Sequence, residues 1–250
     1  VEHATADAST TVSLIVSADR PDGTDEVDLL TDVRRKKSWV LVAALQKLSE
    51  SLFGPPTLDV TRQIGSTPAL SGAQVHRTTV EEHGEYGYRL SDADVALIGE
   101  KSDLAVHFGV GILYGGVLDA PERGVIGFHH GDLREYRGGP PGFWEFVHGR
   151  SETGVTVQRF TETLDGGEIL AFEDVPIDDA GTWSEVRRRQ RAASEPLLLR
   201  AIENIRNTAF DPDAPGELGP VYTTSQRNWR VTARYIRREL AGRTSDLTLG

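Results

Sequence analysis

The residues best suited to chemistry lie between Gly124 and Leu170, in the run GVIGFHHGDLREYRGGPPGFWEFVHGRSETGVTVQRFTETLDGGEIL. His129 and His130 close a short apolar run, and Asp165 stands far along the chain between Leu164 and Gly166. An imidazole at a strand end exchanges a proton near neutral pH. A carboxylate that meets it can orient the ring and stabilise its protonated form. Side chains alternate along a strand, so only one of the two histidines faces a given cleft. A structural histidine bonded to its own loop is the competing role, but the glycines around this strand end let a ligand approach the backbone, which favours function. For Asp165 the competing role is an Asp-Gly hairpin turn, and the two readings stand level.

Tyr136, Arg137 and Gly138 follow the histidines. Arg137 can bind a carboxylate or phosphate, or it can pin the loop to the helix after it; the structural role has the edge. Asp132 and Glu135 read as solvated loop residues. His129, His130 and Asp165 would make a poor metal chelate, because neighbouring strand histidines diverge, and no metal site is expected. The sequence holds no Gly-x-Ser-x-Gly elbow and no Walker loop.

Composition narrows the class. The 250 residues suit one large domain or a domain with an extension. A formal charge of −11 argues against a generic nucleic-acid binder, and an acidic, arginine-rich surface of this kind suits high salt, so a halophilic source is one expectation. No cysteine is present, which excludes disulfides and thiolate chemistry and fits a cytoplasmic location. No signal peptide and no membrane-length apolar window are visible, although the sequence opens at Val1 and contains no methionine.

The elements that must position these groups alternate between strand and helix. Val1 to Thr10 reads as a helix end, Thr11 to Ser17 as a buried strand, Asp19 to Thr24 as a polar turn, and Trp39 to Leu52 as a helix stopped by Pro55 and Pro56. Gln74 to Val80 reads as a short strand, and Ser91 opens a helix with Asp94 in a capping pattern. Ser102 to Gly109 is a buried strand, Ile112 to Leu118 a short turn or helix, and Gly124 to Phe128 the strand that delivers His129. Residues 140–148 suit a helix begun by proline. Gly154 to Phe160 and Glu168 to Ile177 form a strand pair joined through the Asp165 loop. A long amphipathic helix runs from Thr182 to Asn207, with Val186, Ala193, Leu197, Leu198, Ile202 and Ile205 on one side. Asp211 to Pro220 is a proline–glycine linker, and a short basic helix, Trp229 to Leu240, closes the chain. The basic stretches Arg34 to Lys37 and Arg227 to Arg238 read as solvated helix faces. This alternation predicts an α/β fold with a mostly parallel sheet.

From Ser102 to Ile169 the chain resembles the folate-dependent formyltransferase family, which includes methionyl-tRNA, glycinamide ribonucleotide and sugar formyltransferases. The resemblance rests on Asp103 to Leu113, on Gly127-Phe128-His129 before Tyr136-Arg137-Gly138, on Thr153 to Thr156, and on Leu164 to Gly167. It implies a Rossmann-like, three-layer fold in which an amine attacks the formyl carbon of 10-formyltetrahydrofolate. By position, His129 and Asp165 would be the catalytic pair, with His130 beside them. The folate would lie against Gly109, Ile112, Leu113, Gly127 and Leu164, and the substrate against Tyr136, Arg137 and Gly138. The implied catalytic domain spans 1–208, its first βα unit missing or shortened, with 209–250 as C-terminal linker and helix. A small amine is the implied acceptor. One departure matters: Gly127 stands where the family carries an asparagine that stabilises the oxyanion. Losing one such donor typically costs about 10²–10³ in rate. Either His130, Asp132, a backbone amide or a water replaces it, or the chemistry differs. The alternatives are therefore a formyltetrahydrofolate hydrolase, whose branch of the family shares a double histidine, and a folate-binding protein without catalysis.

Overall fold

The computed structural model describes residues 10–19, 39–53, 67–84, 87–109 and 111–248. In chain order its elements are β1 (Leu14–Asp19), α1 (Trp39–Phe53), β2 (Gln74–Thr79), β3 (Glu81–His83), β4 (Gly87–Arg89), α2 (Asp92–Lys101), β5 (Ala105–His107), β6 (Ile112–Leu113), β7 (Val125–His129) and β8 (Arg137–Gly138). There follow α3 (Phe143–His148), β9 (Glu152–Arg159), β10 (Ile169–Pro176), α4 (Trp183–Arg206), β11 (Val221–Tyr222) and α5 (Trp229–Thr248). The expected turn at 20–24, the Pro55-Pro56 stop, the basic stretch 34–37 and nearly all of the expected first helix lie outside the described residues.

The central sheet has the order β10-β9-β7-β5. Only β5 and β7 run parallel in it; β7 with β9, and β9 with β10, are antiparallel. The expected mostly parallel sheet is therefore corrected to a mixed one. A parallel neighbour needs a crossover of about a dozen residues or more that returns the chain along the sheet. Between β9 and β10 there is only the turn 160–168, which is too short for one. Between β7 and β9 the chain does not cross back over the sheet, and β9 returns antiparallel beside β7. Smaller pairs complete the strand set: β1 with β2 and β4 with β6 are parallel, β3 with β4 antiparallel, and β8 with β11 parallel.

Local chemistry sets most of the boundaries. Ser91 caps α2, its hydroxyl accepting from Asp94 N at 3.2 Å and donating to the Asp94 carboxylate at 2.6 Å. Thr182 caps α4 by accepting from Glu185 N at 3.2 Å. The run 112–118 splits into β6 and a 3₁₀ turn at Gly116–Asp119, α3 starts at Phe143 after a left-handed Gly142, and α5 continues past Leu240 to Thr248. α4 lies on β9 and β10, burying Val186, Leu197, Leu198 and Ala201 against Val155, Val157, Leu170 and Val175. Tyr235 of α5 is fully buried in the same core, against Phe143, Phe146 and Trp183. A smaller cluster of Ile98, Leu113, Val117 and Leu118 sits beneath α2.

The turn between β9 and β10 tolerates almost no added volume. A Cβ at Gly167 would lie 1.6 Å from the carbonyl oxygen of Arg159, whereas one at Gly216 would meet nothing within 4 Å. Gly167→Ala should destabilise the protein by about 1–3 kcal/mol through forced backbone movement, and Gly216→Ala by roughly 0.5 kcal/mol or less. Chemical denaturation of both variants checks this; equal midpoints for the two would refute the crowding.

Candidate active site

Asp165 sits in the turn between β9 and β10 with φ +45°, the one non-glycine residue at positive φ among the described residues. Aspartate tolerates this left-handed region better than most residues. Its side chain and neighbours are tied down on every side. Gln158, almost fully buried on β9, donates from Nε2 to Asp165 Oδ1 at 3.2 Å and accepts from Gly167 N at 3.1 Å. Gly138 N donates to Asp165 Oδ2 at 2.8 Å. Arg137 donates to the carbonyl oxygens of Leu164 at 2.9 Å and Gly219 at 2.7 Å. The Tyr-Arg-Gly segment thus holds the aspartate turn. Gly138 has φ +82°, and any Cβ there would strike the Tyr222 carbonyl oxygen at 2.3 Å.

His129, 7% exposed at the end of β7, brings Nδ1 to 3.3 Å from Asp165 Oδ1. Its Nε2 donates to the carbonyl oxygen of Tyr136 at 2.7 Å. Both ring nitrogens face acceptors, which favours the doubly protonated imidazolium. Burial works against that charge, but the hydrogen bond and negative charge of Asp165 outweigh it, helped by the Tyr136 carbonyl and buried Glu145, and the pKa of His129 is raised. Burial likewise opposes the carboxylate of Asp165. The bond and charge of His129, with the Gly138 and Gln158 donors, overcome this and hold its pKa below the ordinary aspartate value.

His130 points to the other side, as strand alternation requires. Its Nε2 lies 3.1 Å from Ser194 Oγ on α4, and that hydroxyl donates to Gln190 O at 2.8 Å. Ser194 is thereby an acceptor for Nε2–H. Burial, then the positive charges of His129 and Arg191, push the pKa of His130 down to about 4. The ring is neutral at physiological pH. Gln190, fully buried, bridges α4 to the His130 carbonyl oxygen at 3.1 Å and to Thr153 Oγ1 at 3.0 Å.

A cavity of about 780 Å³ opens at the carboxyl ends of β5 and β7. Of the residues singled out from sequence, Gly109, Ile112, Leu113, His130, Leu164 and Asp165 line it. His129 does not; it lies behind Asp165. Gly127 is covered by Phe160, whose Cζ stands 2.5 Å from where a Cβ would be. Tyr136 is turned away, stacked on Tyr222 at 5.4 Å and hydrogen-bonded through its hydroxyl to His148 Nδ1 at 3.0 Å. Arg137 and Gly138 serve the Asp165 turn. Among the described residues no three His, Asp or Glu side chains converge as metal ligands. Sequence reasoning missed Gln158, Phe160, Ser194, Arg191 and His107. Gln158 carried a signal, a polar amide directly after the β-branched Val155-Thr156-Val157; Ser194 and Arg191 lay inside a helix read only for its apolar side.

Residues 71–202 match the family model described as Formyl transferase. A methionyl-tRNA formyltransferase of Geobacillus sp. (strain WCH70) is 34% identical over 141 residues, 56% of this chain and 41% of that enzyme. One from Listeria welshimeri is 39% identical over 123 residues, 47% of this chain and 39% of that enzyme. The chain thus spans less than half the length of these curated relatives. A solved sugar N-formyltransferase from a Shewanella species shares the fold at 16% identity with a TM-score of 0.51, covering 92% of this chain and 88% of that one.

The pair makes a defined pH signature. The raised pKa of His129 adds stability that is complete below the ordinary histidine value of about 6.5 and lost as pH rises through the folded value. The lowered pKa of Asp165 adds stability that is complete above about 3.9 and lost as pH falls through its folded value. Both contributions are whole between about pH 4 and 6.5. The stability gap between the parent protein and Asp165→Asn should therefore be widest there and narrow toward pH 9, measured by urea unfolding. A gap constant from pH 5 to 9 would contradict the ion pair.

Proposed function

The chain belongs to the formyl transferase family, and from that premise we propose that it moves a formyl group from 10-formyltetrahydrofolate to the amine of a small acceptor. The observation that carries this reading is the His129–Asp165 pair, 3.3 Å apart, with its carboxylate in the wall of a cavity at the strand ends. The cavity's volume lies in the range of small-molecule sites, about 300–1,000 Å³. Its aromatic walls, Phe108, Phe128 and Phe160, suit a flat heteroaromatic donor. A charge of −11 disfavours a polyanionic acceptor such as tRNA and favours a small amine. We assign donor and acceptor binding to residues 1–208, while 209–250 add Tyr235 to the core and fasten Arg137 through the Gly219 carbonyl.

The roles follow from position. The amine nitrogen attacks the formyl carbon, the carbonyl oxygen becomes an oxyanion, and the bond to the folate nitrogen then breaks. Asp165 is the member of the pair that meets the cavity, and it takes the proton that the amine sheds. His129 beneath it supplies the positive charge that keeps the carboxylate ionised and aimed. His130 adds a neutral imidazole to the same cavity. The folate nitrogen receives the proton as it leaves.

Incubation with 10-formyltetrahydrofolate and a panel of small amines, read by mass spectrometry of the formylated product, tests the reading. His129→Ala and Asp165→Asn should each lower kcat by about 10²–10⁴-fold, the usual contribution of positioned acid–base groups. Full activity in both variants removes the pair from the mechanism. Formate release that needs no amine turns the reading to hydrolysis, and folate binding without turnover turns it to a binding protein.

A further inference from the structure

His107 is the last residue of β5, and its partner across the parallel pair is Gly127 of β7. It lines the same cavity. Its Nε2 is buried and has no hydrogen-bond partner. Burial lowers its pKa, which keeps the ring neutral. The ring of Phe160 meets the imidazole edge-on at 5.4 Å and covers the backbone of Gly127. A buried polar atom without a partner is costly and uncommon, and it calls for an explanation.

The neighbouring histidines are committed. His129 gives Nε2 to the Tyr136 carbonyl, and His130 gives Nε2 to Ser194. Gly127 brings no side-chain donor. We propose that His107, as the Nε2–H tautomer, donates a hydrogen bond to the formyl oxygen while that oxygen carries the negative charge of the tetrahedral intermediate. His107 is then a further catalytic residue, and this assignment rests on the formyl-transfer reading. The step balances without an added reagent. The amine lone pair forms the new N–C bond, and the C=O π pair moves onto oxygen, where His107 meets it. The pair returns as the bond to the folate nitrogen breaks. His107 keeps its proton throughout, and a neutral ring suits that role because it is a weak acid. Such a donor acts most strongly where water is excluded, and Phe160 gives this one aromatic cover.

The test compares the parent protein with His107→Ala and His107→Gln, using 10-formyltetrahydrofolate and the preferred amine. His107→Ala should lower kcat by about 10²–10³-fold, the usual effect of removing one oxyanion donor, with affinity for unreactive 5-formyltetrahydrofolate and thermal midpoint little changed. His107→Gln, which keeps an N–H donor, should recover part of the loss. A second readout needs no turnover: in protein labelled with ¹⁵N-histidine, the Nε2 resonance absent from His107→Gln should shift when 5-formyltetrahydrofolate is added. A kcat of His107→Ala close to the parent value, or a resonance that stays still in folate-bound protein, overturns the assignment and leaves formyl transfer standing. A parent protein that neither binds folate nor transfers formyl overturns the underlying reading, and this assignment falls with it.

Discussion

A carboxylate and an imidazole buried together are tolerable only when every remaining polar atom around them is satisfied. That requirement organises this protein. Asp165 spends one oxygen on His129 and Gln158 and the other on the Gly138 amide. Gln158 spends its own carbonyl on Gly167. The far nitrogen of His129 is taken by Tyr136. Each partner comes from a different part of the chain, so the β7 end, the Tyr-Arg-Gly loop, β9 and the turn after β9 must all arrive at one point.

This convergence accounts for the geometry of the mixed sheet. β9 runs antiparallel to β7, with His129 registered opposite Thr156 and Gly127 opposite Gln158. The strand that follows the histidine loop is thereby the strand that holds the aspartate turn. Alternate residues of β9 divide the work. Gly154, Thr156 and Gln158 hold the loop side, with Thr156 donating to Gly131 O at 2.8 Å, while Val155 and Val157 pack into the core. α4 closes the other side through Gln190 and Ser194, and its apolar residues supply the burial that keeps the arrangement shut.

The two adjacent histidines show how one strand end builds two environments. His129 lies between acceptors and is driven toward its charged form. His130, one residue on, is desolvated beside positive charge and stays neutral. Strand alternation separates them, and the surroundings then assign opposite proton affinities.

Much of this was legible from residue order. The β-branched run at 153–157, the apolar residues that open 169–176, the capping pattern at Ser91 and the apolar spacing of 183–206 are local signals, and local physics sets the corresponding elements. The pairing of His129 with Asp165 could be named from motif order. The sheet's direction could not, because it depends on whether each connection crosses back over the sheet, and between β7 and β9 length alone does not decide that. Nor could the side on which each histidine lies, since alternation says that they differ but not which one meets the cavity. His107 was hidden for the same reason: inside an apolar strand it reads as core, and only the register beside Gly127 and an unpartnered nitrogen set it apart. The sequence by itself determined the elements and the chemical groups available. Tertiary structure decided which groups share one desolvated space, because contact across strands and burial are properties of the packed chain.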